Sequence, residues 1–173
     1  MKRQSLFASA LALLAVGCSN SSAPTTTSPT QPTFTAALST ANEVPPISNS
    51  EAGGTGTATI TFNVTKDAAG NILTSAVTFV VNLSGFPAGT PITIAHIHVG
   101  AAGVAGGVVV STTLAATEGF VLPNGSGSFT KTVAGVDPAL TQTIINNPAG
   151  YYFNVHSMLN PAGVARGQLV KVP

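Results

Sequence analysis

The stretch Thr57-Ala58-Thr59-Ile60-Thr61-Phe62-Asn63-Val64 alternates without a break. Successive side chains of an extended chain point to opposite faces, so Ala58, Ile60, Phe62 and Val64 share one side. Thr57, Thr59, Thr61 and Asn63 share the other. Period two with β-branched residues predicts a strand with one buried face. Lys66 to Asn71 has the composition of a turn. Ile72 to Leu83 then resumes the alternation, with Val77, Phe79, Val81 and Leu83 on one face. The two runs predict a β-hairpin with a longer loop.

Outward from this hairpin, short strand-like runs recur. They are Phe34–Ser39, Ile92–His98, Val108–Leu114, Gly127–Val133, Tyr151–Ser157 and Gly167–Val172. Glycine and proline punctuate the gaps, at Gly85 to Gly89, Gly100 to Gly107 and Pro123 to Gly125. Many short strands at this spacing predict a β-sandwich or barrel. One segment breaks the pattern. Asp137 suits a helix cap and Pro138 the first helical position. Leu140, Ile144 and Ile145 recur at helical spacing, which predicts one short helix over 138–146.

Composition agrees with an all-β reading. Of 173 residues only 6% are charged, while 44% are hydrophobic, 6% are aromatic and none is Trp. Ordinary domains carry about 25% charged residues. The rest is Thr, Ser, Gly, Asn and Pro, which suits small-residue strands with a polar, uncharged surface. The formal net charge is +1, and it becomes about −1 once Lys2 and Arg3 are set aside. No basic patch is left for nucleic acid, so we expect no nucleic-acid partner. There is no G-x-S-x-G, no P-loop and no dinucleotide fingerprint after a strand, so we expect no catalytic residue and no organic cofactor.

The first residues read as an address. Lys2 and Arg3 precede an apolar run of 11 residues, Leu6 to Val16. That is the layout of a secretory signal, too short for a bilayer span of about 20 residues. The run ends in Leu14-Ala15-Val16-Gly17-Cys18, and Cys18 is the only cysteine. This segment resembles the lipobox of bacterial lipoproteins. The resemblance implies a signal peptide over 1–17, a lipidated Cys18 and a chain anchored in the cell envelope. Ser19, where that family can carry Asp, implies the outer membrane in a Gram-negative cell. The tract 19–32, rich in Ser, Thr and Pro, cannot bury enough surface to fold. Fully extended at ~3.1 Å per residue it reaches about 40 Å. The folded domain is expected over 33–173.

All three histidines of the chain sit in two of the strand-like runs. His96 and His98 are two residues apart, so on a strand they share a face, with Cα atoms about 6.6 Å apart at ~3.3 Å rise per residue. His156 joins them only if its strand lies beside theirs. Three imidazoles with an open fourth position suit zinc or copper. The same rings could instead hydrogen-bond to backbone and to Glu43, locking loops over the fold, and both readings stay open here. Arg166 is the only arginine after the leader. It follows the turn Asn160-Pro161-Ala162-Gly163, and its fork-shaped guanidinium suits a carboxylate such as Glu43. We therefore expect Glu43 and Arg166 to pair as a structural network.

Four motifs occur in a specific order: Asn42-Glu43-Val44-Pro45-Pro46, Ala95-His96-Ile97-His98-Val99-Gly100, Tyr152-Phe153-Asn154-Val155-His156-Ser157, and Asn160-Pro161-Ala162-Gly163-Val164-Ala165-Arg166-Gly167-Gln168-Leu169. Together they resemble the CHRD domain, found in the animal BMP antagonist chordin and in many bacterial secreted proteins. The resemblance spans about Phe34 to Lys171 and implies a secreted all-β domain. Chordin's growth-factor binding rests mainly on other modules and is not carried over. A weaker similarity runs to copper–zinc superoxide dismutase, through His96-Ile97-His98 and Gly163-Val164-Ala165-Arg166. That enzyme uses more histidines, a zinc site and a disulfide, so dismutase activity is not expected. The resemblances narrow the fold to a single β-sandwich, of Greek-key, immunoglobulin-like or superoxide-dismutase-like arrangement. Two functions follow: an envelope-anchored domain binding copper or zinc through His96, His98 and His156, or a non-catalytic module whose strand edges and loops contact protein or matrix.

Overall fold

A computed structural model describes residues 31–173. The expected signal peptide, Cys18 and the expected linker up to residue 30 lie outside the described residues.

The hairpin forms as the alternation predicts. β1 is Thr33–Ser39, β2 Thr55–Lys66 and β3 Ile72–Ser84. Ile60 pairs with Phe79 and Phe62 with Val77 across the hairpin, and all four are fully buried. Asp67 builds the turn: its Oδ1 accepts from the Ala69 and Asn71 amides at 2.9 and 2.8 Å. The order continues with β4 Thr90–Val99, β5 Val108–Ser111, β6 Val121–Leu122, β7 Gly127–Ala134, α1 Pro138–Asn146, β8 Tyr151–Ser157, β9 Ala165–Gln168 and β10 Val170–Lys171. Asp137 caps α1 as expected, accepting from the Ala139 and Leu140 amides at 2.7 and 2.9 Å.

The strands form one antiparallel sheet in the order β5-β4-β8-β9-β1-β2-β3-β7, with β10 on β1 and β6 on β4. β8 and β3 are four places apart, about 19 Å along a flat sheet at ~4.8 Å per strand. Yet Phe79 of β3 and Phe153 of β8 have ring centroids 5.7 Å apart. The sheet therefore folds back on itself into two layers, an all-β sandwich. Ala58, Ile60, Phe62, Val77 and Phe79 from one layer meet Ala95, Ile97, Phe153 and Val155 from the other in a single core.

Two predicted strands are shorter than their sequence suggests. The run Val108–Leu114 stops at Ser111, because Thr113 adopts a positive φ of 64° that leaves the extended region. The run Gly167–Val172 breaks at Leu169, which turns into the core and donates its amide to Tyr151 O at 3.0 Å.

Candidate metal centre

β4 reads Thr-Pro-Ile-Thr-Ile-Ala-His-Ile-His-Val, rich in β-branched residues, with its proline near the start where a missing donor is tolerated. Ala95 and Ile97 face the core, which turns His96 and His98 to the outer face. β8 pairs with β4 in antiparallel register, with Ile94 opposite His156, His96 opposite Asn154 and His98 opposite Tyr152. Residues opposite each other share a face, so His156 lies diagonally next to His96. One ligand nitrogen from each of His96, His98 and His156 lies within 4.8 Å of the other two. The structure thus brings together the three rings that the sequence could only place on two separate runs.

The outer face would ordinarily meet water, but two loops cover it. His98 and His156 are buried and His96 is half-buried. The 100–107 loop brings Gly106 O to 2.9 Å from His98 Nδ1, and the 158–163 turn brings Pro161 O to 3.0 Å from His156 Nδ1. Gly106 fits only because it has no side chain, since a Cβ there would run into the Val99 carbonyl. A carbonyl only accepts, so both Nδ1 atoms carry the proton. In a neutral ring that leaves each Nε2 with a free lone pair. His98 Nε2 is buried and has no hydrogen-bond partner. His156 Nε2 lies 3.4 Å from His96 Nδ1. Two nitrogens on one tetrahedral ion, each at about 2.0–2.1 Å, would be about 3.3–3.4 Å apart.

Electrostatics favours the neutral rings. Burial, reinforced by His156 and His98, pushes His96 down to about 4. Burial also lowers His98, helped by the Arg166 charge and opposed by the Gly106 carbonyl. His156 is lowered by burial and by His98, against the Pro161 carbonyl. All three are unprotonated at neutral pH, the form a metal requires.

Residues around the rings complete the shell. Tyr152 stacks on His98 with centroids 4.9 Å apart and planes at 10°, and its hydroxyl accepts from the Gly106 amide at 3.2 Å. Tyr152 thereby holds both His98 and the carbonyl that orients it. Sequence reasoning passed over it, although it lies four residues before His156 on the same face. The orienting carbonyls leave no trace in sequence, because every residue has one. Asn154 lies between Tyr152 and His156 along β8, opposite His96, and its Oδ1 is buried without a partner.

The expected direct pair of Glu43 and Arg166 does not form. Arg166 is drawn elsewhere, with its guanidinium carbon 4.2 Å from the Tyr152 ring centroid and Nη1 donating to Val104 O at 3.1 Å. An ion pair does form between Lys131 and Glu118. Glu43 and Arg166 still feel each other: burial raises Glu43 to about 7, and the Arg166 charge opposes that rise.

The family model described as the CHRD domain matches residues 34–169, which takes in all three histidines, Glu43 and Arg166. No curated protein and no solved structure matches the chain.

Proposed function

We propose, from the premise that the chain belongs to the CHRD-domain family, that its sandwich binds one copper or zinc ion through His96, His98 and His156. One observation carries this reading. Two of the three rings are tied through Nδ1 to backbone carbonyls, which leaves each Nε2 with its lone pair, that of His98 without a partner and that of His156 3.4 Å from His96 Nδ1. That is the outer-shell arrangement that fixes tautomer and orientation in histidine metal sites. In the metal-free protein His96 Nδ1–H donates to His156 Nε2, so binding moves the His96 proton to its other nitrogen. The ion would then cross-link β4 to β8 beneath the two covering loops. No catalytic residue is assigned.

The sequence further supports an exported protein, lipidated at Cys18 and held off the envelope by the 19–32 linker. Among the described residues no helix is long and apolar enough to cross a membrane.

Titration of purified protein with Zn²⁺ and Cu²⁺ tests the site. We expect one ion per chain, with binding strongly weakened in His98→Ala. A protein that takes up neither ion, and in which His98→Ala lowers only thermal stability, is the structural module instead.

A further inference from the structure

The 158–163 turn supplies the Pro161 carbonyl that orients His156, yet it has little apolar anchorage of its own. Met158, Leu159, Pro161 and Ala162 are all exposed, Met158 by 68% and Leu159 by 55%. A segment with few buried apolar contacts opens easily unless polar bonds hold it.

Those bonds converge on Asn160, which is half-buried between the exposed residues. Its amide donates to Ser157 Oγ at 2.9 Å, and its carbonyl accepts from the Gly163 amide at 3.1 Å. Its Oδ1 accepts from Asn49 Nδ2 at 2.9 Å, and its Nδ2 donates to Glu51 Oε2 at 2.5 Å. Ser157 Oγ donates to the same Glu51 oxygen at 2.6 Å. One carboxyl oxygen therefore grips both Ser157, the neighbour of His156, and Asn160, the neighbour of Pro161.

Glu51 is a fixed point for that grip. It is buried in the loop between β1 and β2. Its amide donates to Asn49 Oδ1 at 3.0 Å, and its carbonyl accepts from the Gly54 amide at 2.9 Å. Beside it, Thr40 Oγ1 donates to the Ala52 carbonyl at 2.5 Å.

We infer that Glu51 is a positioning residue for the metal centre: through Ser157 and Asn160 it sets the Pro161 carbonyl, which keeps the His156 proton on Nδ1 and the lone pair on Nε2. Its importance for binding rests on the metal reading above, because only a ring nitrogen with a lone pair can hold an ion. With the turn released, the proton is free to move to Nε2 and the ligand atom is lost. His98 is an internal control, since its carbonyl comes from Gly106 of the other loop.

Two readouts on the full chain at pH 8 separate this role from general stability. Long-range proton–nitrogen NMR spectra of the metal-free protein in EDTA locate the proton on each ring, and zinc competition titration measures Kd. In Glu51→Ala we expect His156 to populate the Nε2–H tautomer while His98 stays Nδ1–H, and zinc to bind about 10- to 100-fold more weakly. Glu51→Gln should restore both, because an amide also offers one oxygen to the two donors. His156 still Nδ1–H in Glu51→Ala, an equal change in His98, or zinc bound as tightly as in the wild type would each overturn the inference. A wild type that takes up no zinc removes the metal reading, and the His156 tautomer in Glu51→Ala then decides the positioning role alone. Should Glu51→Ala fail to fold, Asn160→Ala in the half-buried turn replaces it, and an unchanged His156 tautomer there overturns the inference.

Discussion

Consider metal-linked stability in the wild type and in His98→Ala. A ligand that binds only the folded state stabilises it by RT ln(1 + [L]/Kd), about 2.7 kcal/mol at 100 times Kd. The described domain has about 140 residues, and unfolding entropy near 2.1 cal/mol/K per residue gives about 0.3 kcal/mol/K. The wild-type melting temperature should therefore rise by about 9 °C at that free-metal concentration. His98 supplies the one ring nitrogen that is buried and wholly unpartnered, so its removal deletes a ligand outright. A 100-fold weaker site retains only about 0.4 kcal/mol at the same free metal, or about 1.4 °C. Thermal melts followed by circular dichroism, with zinc buffered at a fixed free concentration, read both numbers. Equal upward shifts in wild type and His98→Ala would refute the reasoning, because the metal would then sit elsewhere. No shift in the wild type would refute it as well.

Three further outcomes follow from the same geometry. Metal affinity should start to fall only below the ordinary imidazole value of about 6.5, since all three rings are lowered from it and protons compete only as they charge; competition titrations across pH measure it. Glu43 acts with the opposite sign. Between about 4.5 and 7 the folded state holds a proton that the unfolded state releases, so its carboxyl costs stability as pH rises; urea denaturation should show Glu43→Gln gaining on wild type from pH 4 to pH 8. Phe153→Ala empties a fully buried position against Phe79 and should cost about 3–5 kcal/mol in the same assay.

Much of the sandwich was legible because one face of each strand must be apolar. β2 and β3 carry that pattern over many residues, and their pairing is local, so both the strands and the hairpin could be read. The helix was legible through Asp137 and Pro138, whose chemistry is confined to a helix start. Strand ends were not. Thr113 is a residue that normally favours extended backbone, and nothing in its side chain announces the positive φ it adopts. Leu169 reads like any strand residue until the core claims it.

The site divides along the same line. His96 and His98 sharing a face is local geometry, visible at i and i+2. Their meeting with His156 depends on β4 pairing with β8 across some 60 residues, and no local signal sets that register. The pairing of Arg166 with Glu43 failed for a related reason. Opposite charge suggested the partner, but a guanidinium also stacks on aromatic rings and donates to carbonyls, and Tyr152 and Val104 are closer. That competition left Glu43 Oε1 and Arg166 Nη2 each buried without a hydrogen-bond partner, which charge counting alone does not reveal.

The central claim is that three imidazoles converge on one ion. X-ray absorption spectroscopy of the zinc- or copper-loaded protein tests it most directly. The account predicts a first shell dominated by three imidazole nitrogens at about 2.0–2.1 Å, with one imidazole lost in His98→Ala. A shell of oxygen ligands without imidazole scattering, or a spectrum unchanged by His98→Ala, would contradict it.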